Sequence, residues 1–333
     1  MNSTPRVSLI MAVYNGEKHL EASIDSLLGQ SYGDFEVIIV NDGSHDKTPE
    51  ILKKYLQQDK RIIIIHNENN LGLTPSLTKA TAQAKGEYLA RLDCGDLAHE
   101  TRLEKQIRIL DKNPECVMCA TQVHKIDHQN QIIRTQKAYM KKSFSKEILL
   151  FANPFVHSTV VMRKEAYLKA GGYDDYFQCS QDHNLWTRLI FTGSFQLIDE
   201  VLVDSRQDTD GISFKKAHKQ TEFAAISSTR LLEQLDSKAT NKRSFEFGPA
   251  KFKGENAQYH TFFKAFFALI MSPAHLEATR ISMIRPLVSS HLLRKSFWYC
   301  SWEVLLKTSA FLLLGSHLYQ KLFTVYSSKR YGA

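Results

Sequence analysis

Two carboxylates three positions apart, Asp93 and Asp96, are the residues of this 333-residue chain best placed to do chemistry. They follow a short, mostly apolar run at residues 87–92, a strand pattern, and so stand where that strand ends. In open α/β sheets ligands sit outside the carboxyl ends of strands. Gly95 lies between the two acids and lets backbone approach closely. Such a turn suits a hard divalent cation that bridges to phosphate. A polar turn with Asp and Gly for turn chemistry explains an isolated D-x-x-D equally well, so the neighbouring elements must decide.

Those elements repeat one arrangement. Residues 7–13 form an apolar strand pattern ending at Tyr14-Asn15-Gly16, and Leu20, Ile24, Leu27 and Leu28 then recur at helical spacing. Residues 35–40 are a second apolar strand that runs into Asn41-Asp42-Gly43-Ser44, before a helix beginning near Thr48-Pro49-Glu50. A third strand at 62–65 ends in a polar stretch closing on Asn70-Leu71-Gly72, a helix follows near 75–84, and the fourth strand delivers Asp93. Four alternating units predict a parallel sheet covered by helices. One edge of that sheet then carries Tyr14 and Asn15, Asp42, Asn70 and Gly72, and Asp93 and Asp96. This describes a crevice for a polar, phosphorylated ligand. Neither a Walker loop nor a G-x-G-x-x-G occurs to bind phosphate through backbone alone, so its charge calls for a metal, a task consistent with Asp93 and Asp96.

Composition sets the frame. The apolar share is 43% and the charged share 23%, the proportions of a soluble globular protein. Residues 1–6 are short and polar and the next apolar run is only strand-length, so no N-terminal signal is expected. Five scattered cysteines (Cys94, Cys116, Cys119, Cys179 and Cys300) point to a reducing compartment, and the lone Cys116-x-x-Cys119 pair sits in an apolar run. Charge is divided unevenly. Residues 1–213 carry 25 Lys/Arg against 28 Asp/Glu, whereas residues 214–333 carry 18 against 7. The second part therefore suits a polyanionic surface, lipid or nucleic acid.

Val13-Tyr14-Asn15-Gly16, Val40-Asn41-Asp42-Gly43-Ser44, Asn70-Leu71-Gly72 and Gly86-Glu87-Tyr88-Leu89-Ala90-Arg91-Leu92-Asp93, in this order and spacing, resemble the nucleotide-sugar-binding half of glycosyltransferase family 2. The resemblance implies a GT-A fold: α/β and Rossmann-like, with a mostly parallel central sheet and helices on both faces. It also implies inverting transfer from a nucleoside-diphosphate sugar, with UDP expected. By the same resemblance Asp42 contacts the base, Asp93 the ribose, and the acidic cluster holds Mn²⁺ or Mg²⁺ on the pyrophosphate. The donor-side residues expected on this basis are Ala12, Tyr14, Asn15, Asp42, Asn70, Gly72, Arg91 and Asp93. One departure stands out: the family's commoner pattern is Asp-x-Asp-Asp, and Gly95 replaces a metal-binding carboxylate.

Downstream, residues 116–123 read as a strand and 122–134 as a polar excursion. His157 lies in the apolar run Asn153-Pro154-Phe155-Val156-His157-Ser158, which fits a core histidine; the resemblance makes it part of the acceptor or sugar pocket, beside Gly172 and Trp186. Leu185, Trp186 and Leu189 share one helical face and leave Asp182 in the first turn, where an acid serves the helix dipole. The resemblance makes Asp182 the catalytic base, with Gln181 in place of the family's Glu. Asp208 occupies the position of a family histidine that approaches the metal, and would complete the set Asp93, Asp96 and Asp208; a surface loop explains it as well.

Residues 1–213 are thus expected to form the catalytic domain, with 1–110 binding nucleotide-sugar and 111–213 on the acceptor side. Residues 214–333 lie outside the resemblance. Phe262, Phe263, Phe266 and Phe267 share one side of a helix pattern, residues 297–314 form another apolar helix interrupted by Glu303 and Lys307, and basic residues flank both. These helices either pack on the first domain or anchor at a membrane surface. The second alternative suits a lipid-linked glycan acceptor and a peripheral place on the inner face of the cytoplasmic membrane. Nucleic acid is not expected, because the aromatic residues follow a helix face and are not interleaved with the basic ones as a stacking platform. A member that binds nucleotide-sugar without turnover is the alternative to the enzyme, motivated by Gly95 and Gln181.

Overall fold

The computed structural model describes residues 4–137, 146–150 and 153–207, with 219–220, 223–224, 226–228, 230–231 and 234 beyond them. The chain divides into two compact units, Met1–Ala224 and Ala225–Ala333. Asp208, the expected helices at 259–271 and 297–314, and Cys300 lie outside the described residues.

The first unit begins with the expected alternation: β1 (Val7–Val13), α1 (Leu20–Leu28), β2 (Phe35–Asp42), α2 (Thr48–Gln58), β3 (Ile62–Asn67), α3 (Leu73–Gln83) and β4 (Tyr88–Arg91). All eight residues of β2 are buried, which explains why that strand reads as a continuous apolar run and not as an alternating one. Each fully buried Val, Leu or Ile contributes about 1.5–3 kcal/mol, so these strands anchor the core. The polar exceptions are satisfied. Ser8 of β1 donates to Glu36 at 2.7 Å inside the sheet.

Parallel pairing aligns the strand ends. In register, Val13 of β1 faces Asn41, Asp42 of β2 faces Asn67, and Ile10 faces Arg91 of β4. The loops bearing Asn15, Asp42, Asn70 and Asp93 therefore leave the sheet at one edge. Beyond β4 come β5 (Leu97–Ala98), α4 (Arg102–Lys112), β6 (Cys116–Ile126), β7 (Ile132–Gln136), β8 (Val161–Arg163), α5 (Lys164–Lys169), α6 (Gln181–Leu189) and β9 (Ser194–Arg206). The sheet order is β3-β2-β1-β4-β8-β6-β9-β5, with β7 added to β6. The β8 strand runs antiparallel to β4 and β6, and β9 runs parallel to β6. This is the α/β architecture of the expectation, with its parallel half on the donor side.

Two boundaries differ from the sequence pattern. The polar excursion expected at 122–134 is instead the end of β6 and the hairpin strand β7. Pairing with β9 continues as far as Ile126↔Arg206, and Val123 and Ile126 are buried. The third helix starts at Leu73, two residues early. Pro75 is then the third helical residue, where the missing N–H has no intrahelical partner to lose.

Candidate functional site

The donor wall is built from strand ends that tie one another down. Asn15 has a left-handed φ of 51°. Its N–H donates to Ser44 Oγ at 3.0 Å, and its Oδ1 accepts from the His45 N–H at 2.9 Å. Gly43, at φ +71°, packs so closely that a Cβ would lie 2.6 Å from the Asn69 carbonyl carbon, so this turn admits only glycine. The Asp42 carboxylate accepts from Asn67 Nδ2 at 2.7 Å and from the Leu71 and Gly72 N–H groups at 2.9 Å each. It thereby holds the loop with Asn70 and Gly72 in place, and only 3% of it is exposed. Tyr14, by contrast, is 47% exposed and presents a free aromatic face beside Ala12 and Asn15.

Next to this wall lie the acids. Arg91 Nη2 donates to Asp93 Oδ1, and Ser158 bonds Asp93 twice: Oγ accepts the Asp93 N–H at 3.0 Å and donates to Oδ2 at 3.2 Å. The Asp93 side chain is 40% exposed. Enclosure works most strongly, to raise its carboxyl, but the Arg91 guanidinium together with His157 and the Ser158 hydrogen bond outweighs it and holds the group below the usual carboxylate range. Asp96 is enclosed, and its Oδ1 accepts the Arg206 N–H at 2.8 Å. Burial first, and then the neighbouring Asp93 charge, push the Asp96 carboxyl up to about 6. Lys125 adds a cation on the same side, donating to Ser205 Oγ at 2.8 Å, and burial works to lower its ammonium.

Arg91 is 1% exposed, and among the described residues its Nε and Nη1 have no partner. Gly95 has φ +101°, a backbone region that disfavours the family's usual aspartate there, and the Arg206 side chain packs against it. Among the described residues no three His, Cys, Asp or Glu side chains converge as a metal cage. Two neighbouring carboxylates of which one is raised by the other do fit a Mg²⁺-like ion, which is held through one or two carboxylates and completed by substrate phosphates.

The acceptor side gathers residues from distant parts of the chain. Asp182, half-buried at the start of α6, accepts its neighbour's N–H, that of His183, on Oδ1 at 2.8 Å and the Asn153 amide on Oδ2 at 2.6 Å. His157 pairs with Tyr173 Oη at 2.8 Å and stacks edge-on against Trp186. Burial, and then the Arg91 charge, bring the His157 imidazole down to about 4, so it is neutral at ordinary pH. His157 is 7% exposed, Trp186 is 0% exposed, and Gly172 is buried with its carbonyl accepting from Arg188 at 2.7 Å. Sequence reasoning missed Asn153, Ser158 and Lys125 as members of the site. Ser158 and Asn153 stood beside the noted His157, but no spacing rule links them to partners 65 and 29 positions away.

Comparison with known proteins identifies the family. The pattern of glycosyl transferase family 2 matches residues 8–172. An uncharacterized glycosyltransferase of Methanocaldococcus jannaschii is 39% identical over 211 residues, which is 61% of this chain and 71% of that protein. The O-antigen biosynthesis glycosyltransferase WbnJ of Escherichia coli is 35% identical over 55% of this chain and 71% of its own length. Among solved structures, S. aureus TarS 1-349 in complex with UDP-GlcNAc superposes with a TM-score of 0.56 at 16% identity, covering 80% of this chain and 81% of that one, a likeness of fold. Strand-end loops, paired acids and relatives together establish that the chain belongs to glycosyl transferase family 2 and is a glycosyltransferase.

Proposed function

We propose that the protein transfers a sugar from a UDP-sugar to a hydroxyl of a glycan or lipid-linked glycan in polysaccharide biosynthesis, with inversion at the anomeric carbon. The observation that carries this reading is the unequal pair at the end of β4, Asp93 held ionised by Arg91 and Asp96 raised beside it. That pair suits a ribose and a diphosphate-bound cation, and Tyr14 offers a face to the base. The relative named for O-antigen biosynthesis supports the polysaccharide setting.

In the proposed reaction Asp182 accepts the proton of the acceptor hydroxyl as its oxygen bonds to the anomeric carbon. The bond from that carbon to the diphosphate oxygen breaks, and the nucleoside diphosphate leaves with the electron pair. Asp93 and Asp96 would hold Mn²⁺ or Mg²⁺, which as a Lewis acid would neutralise charge on the leaving group. Asp93 orients the donor, and the walls set by Asn15 and Asp42 hold it in line. The basic C-terminal region would bring the enzyme to a membrane carrying the acceptor. The test is nucleoside diphosphate release from a panel of UDP-, GDP- and dTDP-sugars, with membranes as acceptor source and with Mn²⁺ or EDTA. Metal-dependent release with one donor, abolished in Asp182→Asn, is expected. Nucleotide binding with no release from any donor would favour the second reading, a non-catalytic binder, for which Gly95 in place of a family acid is the specific observation.

A further inference from the structure

Among the described residues two groups hold the Asp182 carboxylate, one local and one not. The His183 N–H belongs to the same helix and occupies Oδ1. Oδ2 is oriented from outside α6 by Asn153, at 2.6 Å across a separation of 29 residues. The α6 terminus supplies nothing further, since Ser180 before it has φ +54° and makes no side-chain cap.

The Asn153 amide cannot turn freely. Its Oδ1 accepts the Phe155 N–H at 3.2 Å, which leaves Nδ2 facing Asp182. Pro154 fixes the intervening backbone. Phe155 packs edge-on against Trp186 and Phe195, and His157 against Trp186, so the segment is pinned to the helix that carries Asp182. At the segment's other end Ser158 grips Asp93 with two hydrogen bonds. Six residues thus connect the carboxylate proposed for the donor with the one proposed for the acceptor.

We propose that Asn153 is a positioning residue for Asp182, aiming Oδ2 at the acceptor hydroxyl; this rests on the reading of Asp182 as the base. Its amide donates to the carboxylate, and that carboxylate, not Asn153, meets the substrate. Displacement of a reacting group by about 1 Å can cost on the order of 100-fold in rate.

Two variants separate positioning from a structural role. Asn153→Asp retains an oxygen for the Phe155 N–H and removes the donor toward Asp182, placing a like charge there. Asn153→Ala removes both interactions. Asn153 is exposed, so both variants should melt like the wild type. Kinetics with the donor that the wild type uses from the UDP-, GDP- and dTDP-sugar panel, with membranes as acceptor source, should show kcat lowered ten- to 100-fold in both. Donor KM and UDP affinity should stay within twofold. A wild-type kcat in Asn153→Asp, whatever Asn153→Ala does, would overturn the proposal. Asp182→Asn, run in parallel, distinguishes the failures. If it is inactive while both Asn153 variants turn over normally, positioning alone fails; if it turns over, or if the wild type uses no donor, the base reading fails and the proposal with it.

Discussion

The donor wall and the acceptor side of this glycosyltransferase are assembled by different means. On the donor wall each βα unit supplies one polar strand end, and parallel register lines these ends up, so that Asn15, Asp42 and Asp93 meet because their strands do. On the acceptor side the backbone brings little together. Asp182 on α6, His157 and Asn153 in a short connecting segment, and Tyr173 in a loop are joined by side-chain bonds and by packing on Trp186. The first arrangement is laid out by topology, so that substitutions there should show in donor binding and stability. The second depends on a few individual contacts, and small changes there should alter rate before they alter binding.

The widest test of this contrast is Asp182→Asn against Asp42→Asn. Loss of a general base costs about 10²- to 10⁴-fold, so Asp182→Asn should lower kcat by that range and leave UDP affinity unchanged in calorimetry. Asp42→Asn should do the reverse. Its amide cannot accept from Asn67, Leu71 and Gly72 together, and an unsatisfied buried group costs about 1–3 kcal/mol. Chemical denaturation should report a stability loss of that order, and donor KM should rise about tenfold with kcat less affected. Equal effects of both variants on kcat would erase the distinction between the two sides.

A smaller effect is expected where the two sides touch. Ser158→Ala removes one acceptor and one donor at Asp93 but leaves Arg91 in place. Hydrogen bonds to charged groups contribute about 1.5–3 kcal/mol, and the partial exposure of Asp93 puts the loss at the lower end. UDP affinity should fall about tenfold, and an unchanged affinity would place the ribose elsewhere.

This contrast also explains what could be read from the sequence. The four βα units and their strand-end residues follow from local hydrophobic period and turn chemistry, and the edge they share follows from parallel pairing. The burial of Arg91 was not legible, whereas the apolar runs around His157 and Trp186 did suggest theirs. Short motifs state which residues are near one another in the chain, and enclosure is decided by elements far away, here α4, β8 and α6. The end of β6 was missed for the same reason, because β9, about 80 residues on, supplies the partner that its polar sequence does not advertise. Gly95 read as a lost ligand, whereas its φ of +101° shows a turn built for glycine.

The smallest effect concerns pH and belongs to the donor side alone. Asp96 titrates near 6 when folded, against an ordinary value of 3.8. Its folded state binds the proton more tightly than the unfolded one, so its contribution to stability is fully present below about 3.8 and is lost as pH rises through about 6. A divalent ion requires the opposite form, the carboxylate. From a titration at 6, the ionised fraction falls about fourfold between pH 7 and pH 5.5, and Mn²⁺-assisted UDP binding should weaken by about that factor. Asp93, held below the usual range by Arg91, stays charged across this window and contributes no such dependence. In Asp96→Asn the pH dependence should disappear along with most of the Mn²⁺ effect, while UDP binding in EDTA stays near the wild-type level. His157 lies down near 4 and cannot supply the transition. A fourfold loss that persisted in Asp96→Asn, and also with a UDP-sugar whose diphosphate has no ionisation in this window, would mean that the proton competing with the ion sits on another group of the protein, and the metal would then have to be moved away from Asp96.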